Sequence, residues 1–510
     1  MSPLLLLTTL ATLATLALGA ITSPRDITPL STCLTTSSIP FLLPSSPNPT
    51  AWTLHATTFN ARLPFVPLAV VLPTTTAQIS AAVLCASSLN IPVQAKSGGH
   101  SYASFSSGGD VLSQTLVVDL ENFQDVVVNN TTYVASVGGG VRLGNLALGI
   151  YAQGERALAH GTCPGVGIGG HFTHGGYGYS SRAYGLALEQ IVGVEVVLAS
   201  GEVVTATKEK YKDIYWAVRG AADSFGIVTT FYLQTVPAPS VVQFSYDVSD
   251  ALASSALATS AFLAVQSFAL NASVVTRELG LGVTITASSF AVHGTYFGSI
   301  QTFNATVAPA LLNALKQAGA KVAMNKSSVQ ELTWIESLTR LGGAPTLAVP
   351  LTGYDSRDNF FAKSVSVSNP FGEKPVKAYF DVVVREGERA PVDWFAIINL
   401  YGGPDSQIGV RNESFAAYAG FDDLWVVQNY GSVTLNETFP KSGMAFVNKL
   451  NDAMTNNLPE YSAYLNYIDP TYTREQAYKL YFGAGLVERL SKLKAVLDPK
   501  NVFRNPQSIW

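Results

Sequence analysis

The sequence predicts an α+β fold in two domains. Three observations carry this. Many short strand-like runs crowd the first half of the chain, mixed with helical segments. Residues 240–460 change character: longer strands alternate with amphipathic helices, and glycine clusters thin out. Between the two regions lies TVPAPS, residues 235–240, whose prolines mark a junction.

Taken in order, TAQISAAVLCASSLN (76–90) predicts a helix, IPVQAK (91–96) a strand, and SGGHS a turn directly after it. QTLVVDL (114–120), FQDVVVN and TYVASVG read as further strands, and so do VGVEVVLA and EVVTAT beyond a glycine-rich stretch. KEKYKDIYWAVR (208–219) predicts a helix, and FGIVTTFYLQTV a strand. The last residues return to aromatic and polar content: YSAYLNYIDP, a helix ending near Leu497, then DPKNVFRNPQSIW. No internal repeat or low-complexity tract is present.

A chain of 510 residues with 47% hydrophobic and 13% charged content has the means to bury a large core. A net charge of −4 without a basic run argues against a nucleic-acid surface. MSPLLLLTTLATLATLALGA, residues 1–20, is apolar and ends in small residues, so it reads as a secretory signal. No Lys or Arg precedes the apolar run, and a membrane anchor is the competing reading; no later stretch has a transmembrane pattern. Sequons at Asn129, Asn130, Asn271, Asn304, Asn325, Asn412 and Asn436 support an extracellular destination. Glycans on several faces would favour a monomer.

Three cysteines are an odd number for a secreted chain. Cys33 and Cys85 are the natural pair, because a bridge there pins an N-terminal segment that otherwise frays. Cys163 is left over, inside GTCPGVGIGGHFTHGGYG (161–178), a stretch with eight glycines.

Three chemistries compete for that stretch. Gly165, Gly167 and Gly170 satisfy a dinucleotide fingerprint, with Glu189 about 20 residues on. Its context fails: ERALAHGTCP is a poor strand, and HFTHGGYGYSS is too glycine-rich to open a stable helix. His160, Cys163, His171 and His174 have zinc-like spacing, yet the loop lacks a rigid ligand scaffold. Third, a thiolate on a low-bulk backbone can hold an electrophilic ring covalently. The earlier SGGHS offers backbone N–H groups for a diphosphate and His100 as a second attachment point.

KSGGHSY (96–102) together with the 161–178 stretch resembles the bicovalent flavoproteins of the berberine-bridge-enzyme-like group, in the vanillyl-alcohol-oxidase superfamily. DIYWAVRGAADSFGIVT (213–229), YLNYID (464–469) and DPKNVF (498–503) extend the resemblance over essentially the whole mature chain. Within the group it is most similar to the fungal glucooligosaccharide oxidases. The resemblance implies a vanillyl-alcohol-oxidase/PCMH-type FAD-binding domain, residues 21–237 with 461–510, and a substrate domain, 238–460, with an antiparallel sheet backed by helices. It implies FAD bonded covalently through His100 and Cys163. Ser97, Gly98, Gly99 and Ser101 would hold the pyrophosphate, with Thr162, Gly167 and Gly170 also along the cofactor. His171 would lie near the ribityl side of the flavin, and Gly226, Ile227 and Val228 near the adenine. Val166 stands where oxygen-reactive members often have Val.

The family reaction removes a hydride from a substrate carbon while a base takes the hydroxyl proton, and oxygen then regenerates the flavin with release of hydrogen peroxide. Tyr467 matches the family tyrosine beside the reacting carbon. A tyrosine with a pKa of about 10 is a poor base alone. The sugar oxidases pair it with an Asp, and Asn399 stands at that position here. An amide orients a phenol but cannot hold its proton. Gln428 matches a substrate-contact Gln, Ile397 replaces another, and Tyr102 and Phe395 offer rings for a pyranose face. The expected substrate is therefore an oligosaccharide, with a non-sugar alcohol or secondary metabolite as the alternative.

Overall fold

The computed structural model describes residues 26–109, 114–354 and 356–510. The signal segment expected at 1–20 lies outside the described residues. Three larger sheets organise the chain.

A four-stranded sheet runs in the order Phe41–Leu42, Ala69–Val71, Leu116–Asp119, Val93–Lys96; its last three strands are parallel. Its core packs against the helix Thr76–Ser88, whose Thr75 side chain caps the Gln78 amide. Cys85 on that helix is disulfide-bonded to Cys33 on the helix Thr28–Thr36, closing a 52-residue separation. Closing a loop of that length stabilises the fold by about 4 kcal/mol in the chain-entropy picture.

The second sheet, antiparallel, orders Val126–Val128, Val134–Gly138, Gly226–Gln234, Ile191–Leu198 and Val203–Thr207. Its central strand serves two cores: Ile227 packs with the first sheet, and Val228 with the second. The chain's end returns to this half. Val502 and Phe503 join the first core, and Ile509 packs with Trp216 and Phe225. The DPKNVF segment makes this turn through Asp498, whose carboxylate accepts from the Val502 and Phe503 amides and pairs with buried Lys494.

The third sheet has seven antiparallel strands: Ser328–Leu332, Val241–Asp247, Phe290–Tyr296, Leu279–Thr286, Asp393–Leu400, Trp425–Val433, Asn359–Val367. The helices Ser255–Ala269, Ala308–Gln317, Glu373–Glu386 and Lys441–Thr455 cover one face. Strand alternation decides which residues they meet. Ala396, Ile398 and Leu400 enter that helix-backed core with Leu281, Val283, Val427 and Trp425. Phe395, Ile397 and Asn399 are left for the opposite face.

Two local expectations differ from the structure. Val236–Pro237 is not a bare junction; it pairs with Arg156–Ala157 as a two-stranded ribbon. Residues Ile168–Thr173 do form a short helix despite Gly169 and Gly170. Tertiary contact overrides propensity there: the Gly169 amide donates to Ser97 Oγ, and Leu143 and Gly144 donate to the carbonyls of Val166 and Pro164.

Candidate active site

The two glycine motifs meet backbone to backbone. A Cβ on Gly98 would collide with the Gly167 amide, and one on Gly167 with the Gly98 amide. Ser97 clamps the junction, donating to the Gly139 carbonyl at 2.6 Å while accepting from Gly169. Just before it, Lys96 is buried and donates to the His55 carbonyl at 2.9 Å. Burial opposes its charge, but the Asp119 carboxylate 3.0 Å away outweighs that and holds its pKa above the ordinary value. Gly99 needs its glycine: φ is +74°, and Tyr354 Oη packs over it. Ser101 Oγ accepts from the Phe105 amide at 3.0 Å and so holds the turn that follows.

His100 stacks on Phe59, ring centroids 4.0 Å apart, and its Nε2 is buried without a hydrogen-bond partner. Burial and the nearby Arg142 guanidinium push its pKa down to about 3. Cys163 is exposed, close enough to Tyr102, Tyr430 and Tyr467 to raise the pKa of each. Gly170 is exposed too, and a Cβ there would meet nothing within 4 Å. An unsatisfied imidazole, an accessible thiol and a low-bulk backbone fit a flat electrophilic ring attached to the chain.

His171 sits on the short helix with Nε2 accepting from the Gly161 amide at 2.9 Å; burial lowers its pKa to about 3. Its proton is therefore on Nδ1. His160 turns Nδ1 to the Gly161 carbonyl at 2.7 Å, and His174 lies 3.4 Å from Asp223. These groups are directed at separate partners rather than at one point. Among the described residues, the grouping with metal-ligand geometry lies elsewhere: His55, Asp119 and Glu121, with the Lys96 ammonium against Asp119.

The remaining predicted cofactor residues are less exposed to a ligand. Thr162 and Val166 are half-buried, and Val166 packs on the second core. Ile227 and Val228 are core side chains, and Gly226 abuts Val196. At these three positions the strand has only backbone to offer a ligand.

Over the cofactor loops, Tyr102 and Tyr467 stack at 5.6 Å with planes 19° apart. Gln428 Nε2 donates to the Tyr102 hydroxyl at 2.8 Å. Phe395, Tyr430 and Phe360 form a ring stack across three strands, at 4.8 and 4.6 Å. Ile397 sits directly opposite Gln428 in the register. Asn399 is 8% exposed, and its Oδ1 is buried without a hydrogen-bond partner. Tyr464 fixes the segment carrying Tyr467: its hydroxyl accepts from the Gly176 and Tyr177 amides, at 2.9 and 3.1 Å. Burial, with the neighbouring phenols, raises Tyr467 well above the ordinary tyrosine pKa.

Sequence reasoning missed Phe59, Phe360, Tyr430, Tyr179 and His293. Tyr179 Oη lies 3.0 Å from His293 Nδ1, and His293 Nε2 lies 2.7 Å from Thr284 Oγ1. His293 carried no local motif; only strand register brings it to this face.

Fold and site together define an FAD-dependent oxidoreductase, and comparison with known proteins bears on the family. Residues 67–207 match the FAD binding domain model, and residues 463–510 the berberine and berberine-like model. A carbohydrate oxidase of Microdochium nivale is 37% identical over 506 residues, covering 97% of this chain and 98% of the relative. The xylooligosaccharide oxidase of Myceliophthora thermophila C1, solved with xylobiose, superposes with a TM-score of 0.87 at 33% identity, covering 94% of this chain and 98% of that one. The glucooligosaccharide oxidase of Acremonium strictum, with 6-S-cysteinyl, 8α-N1-histidyl FAD, gives 0.85 at 30% identity, covering 94% and 98%. The chain belongs to the berberine-bridge-enzyme-like family of FAD-linked oxidases. Among the described residues, no helix is long and apolar enough to cross a membrane.

Proposed function

We propose that this protein is a secreted carbohydrate oxidase that holds FAD covalently through His100 and Cys163 and acts on an alcohol or anomeric carbon of an oligosaccharide. FAD, when bound, supplies the hydride acceptor and passes the electrons to oxygen, giving hydrogen peroxide. One observation carries the reading: His100 Nε2 is buried without a hydrogen-bond partner, while Cys163 is exposed and near enough to the stacked Tyr102 and Tyr467 to raise the pKa of both. A cofactor tethered there needs no protein lid, so a chain-like substrate has access. The relatives' activities agree with a sugar, and all seven sequon asparagines are exposed, in keeping with secretion.

Within the site, Tyr467 takes the substrate hydroxyl proton. Its raised pKa means that a phenolate there is costly, so the proton must move on as it arrives. Gln428 orients Tyr102, which packs one face of the sugar. His171, neutral with its proton on Nδ1, would have an N–H to offer the cofactor and would add no full positive charge.

A second reading is favoured by Ile397 opposite Gln428 and by the Phe360–Tyr430–Phe395 stack. These make the groove less polar, which suits a non-sugar alcohol.

An oxygen electrode with cello-, xylo- and chito-oligosaccharides, then aromatic and aliphatic alcohols, separates the two. Peroxide with oligosaccharides supports the first reading, turnover of the alcohols alone supports the second, and silence throughout overturns both. Acid-precipitated protein should stay yellow, and one flavin should link the tryptic peptides bearing His100 and Cys163. Colourless precipitate would end the covalent assignment.

A further inference from the structure

His160 stands at the entrance to the second glycine motif, with Nδ1 2.7 Å from the Gly161 carbonyl. A carbonyl only accepts, so Nδ1 carries the proton; burial, which lowers the pKa to about 4, keeps the ring neutral. Nε2 is then a bare acceptor, and it is buried without a hydrogen-bond partner. The Trp334 Nε1–H and the Thr295 hydroxyl are buried and unpartnered as well. These residues come from separate parts of the chain: a loop of the cofactor half, the first residue of the helix Trp334–Gly342, and the strand Phe290–Tyr296. All three line one cavity of about 10 Å³, with Tyr179 and Ser337 among its other walls. The His160 and Trp334 rings meet edge to face, centroids 6.4 Å apart. On the far side of the Gly161 peptide, the amide donates to His171 Nε2 at 2.9 Å.

We propose that this cavity binds one water molecule, and that His160, held by that water, is a positioning residue for His171. Three buried polar atoms without partners around one space are a costly arrangement, and a single polar guest removes the cost. The size fits, since a water needs about 10–15 Å³ of such space. The chemistry fits as well. Water accepts from Trp334 Nε1, donates one hydrogen to His160 Nε2 and donates the other to Thr295 Oγ1, which makes about the usual number of bonds for an internal water. An anion has no hydrogen for His160 Nε2, a cation has no lone pair for Trp334, and an apolar gas leaves every one of these atoms unpaired. From the water the path runs unbroken to the site: His160 Nε2, its Nδ1–H, the Gly161 carbonyl, the Gly161 amide and His171 Nε2. No proton travels along it; each link fixes an orientation. The water holds the His160 ring, the ring holds the Gly161 peptide plane, and that plane keeps the His171 proton on Nδ1. The consequence for the cofactor rests on the covalent-flavin reading above; the water and the peptide link do not.

The test uses full-length, FAD-loaded protein. A high-resolution crystal structure should show one water within about 3.2 Å of His160 Nε2, Trp334 Nε1 and Thr295 Oγ1. An empty cavity, or side chains that bond one another across it, would overturn the site. Thr295→Val keeps the shape of the side chain and removes its hydroxyl, so the water should be lost or weakly occupied. Ring-nitrogen NMR of the six histidines should then show the Nε2 signals of His160 and His171 both displaced from wild type. Ser337→Ala is the control. Ser337 lines the same cavity, but its hydroxyl already donates to the Trp334 carbonyl at 2.9 Å, so this variant should leave the water and both signals in place. A His171 signal unmoved by Thr295→Val, or moved equally by Ser337→Ala, would overturn the positioning role. Should Thr295→Val fail to accumulate, Trp334→Phe removes the donor instead and is read the same way. Were oligosaccharides inert, the substrate reading would fail, and the crystal structure and the NMR comparison would still decide the water and its link to His171.

Discussion

Gln428 holds Tyr102 by its hydroxyl, through a 2.8 Å hydrogen bond from Nε2. The Tyr102 ring is in turn stacked on Tyr467, so one amide on the substrate strand sets the orientation of the aromatic pair. Gln428→Ala should free that hydroxyl and loosen the stack. The expected result is a fall in kcat/KM of about tenfold, worth about 1.4 kcal/mol, with unchanged flavin absorbance. Steady-state kinetics beside a flavin-to-protein ratio measures both.

The contact between Gly98 and Gly167 joins the two cofactor loops, and neither backbone has room for a methyl group. Gly98→Ala should therefore separate His100 from Cys163. Recovered protein should carry less than a tenth of the wild-type flavin, or fail to accumulate. A fully flavinylated Gly98→Ala would show that the loops have slack.

Asp423 is buried, and burial, with Asp422 adding to it, pushes its pKa up to about 8. An unfolded Asp titrates near 4, so between the two values the folded state holds a proton that the unfolded state has released. Stability is thus lost as pH rises from about 4 toward 8, by up to about 1.4 kcal/mol per pH unit from this group. Asp423→Asn should flatten that slope and raise Tm at pH 8, measured by thermal melts across the range. An unchanged slope would place the source elsewhere.

Much of the site was legible because its chemistry is local. Ser97 to Tyr102 and Thr162 to His171 are each short runs whose glycines allow close backbone approach; the residues alone left three chemistries open, and the resemblance to a known family chose among them. The Cys33–Cys85 pairing was legible by elimination and by the need to anchor the N-terminal segment. Tyr179 and His293 were not: they are 114 residues apart and meet only because Gly282 sits between Asn399 and His293 in the sheet register. The helix Ile168–Thr173 was missed because Ser97 and the neighbouring loop stabilise what glycine propensity disfavours. Asn399 was placed by its motif, and the unsatisfied state of its Oδ1 is visible only in three dimensions.

The strand Asp393–Leu400 carries two messages on alternate letters. Ala396, Ile398 and Leu400 answer to the helices behind it, while Phe395, Ile397 and Asn399 answer to whatever lies in front. Substrate preference can drift at the odd-numbered positions without renegotiating the foundations of the domain. A lineage, or an engineer, has there a short row of switches wired apart from the frame that carries them.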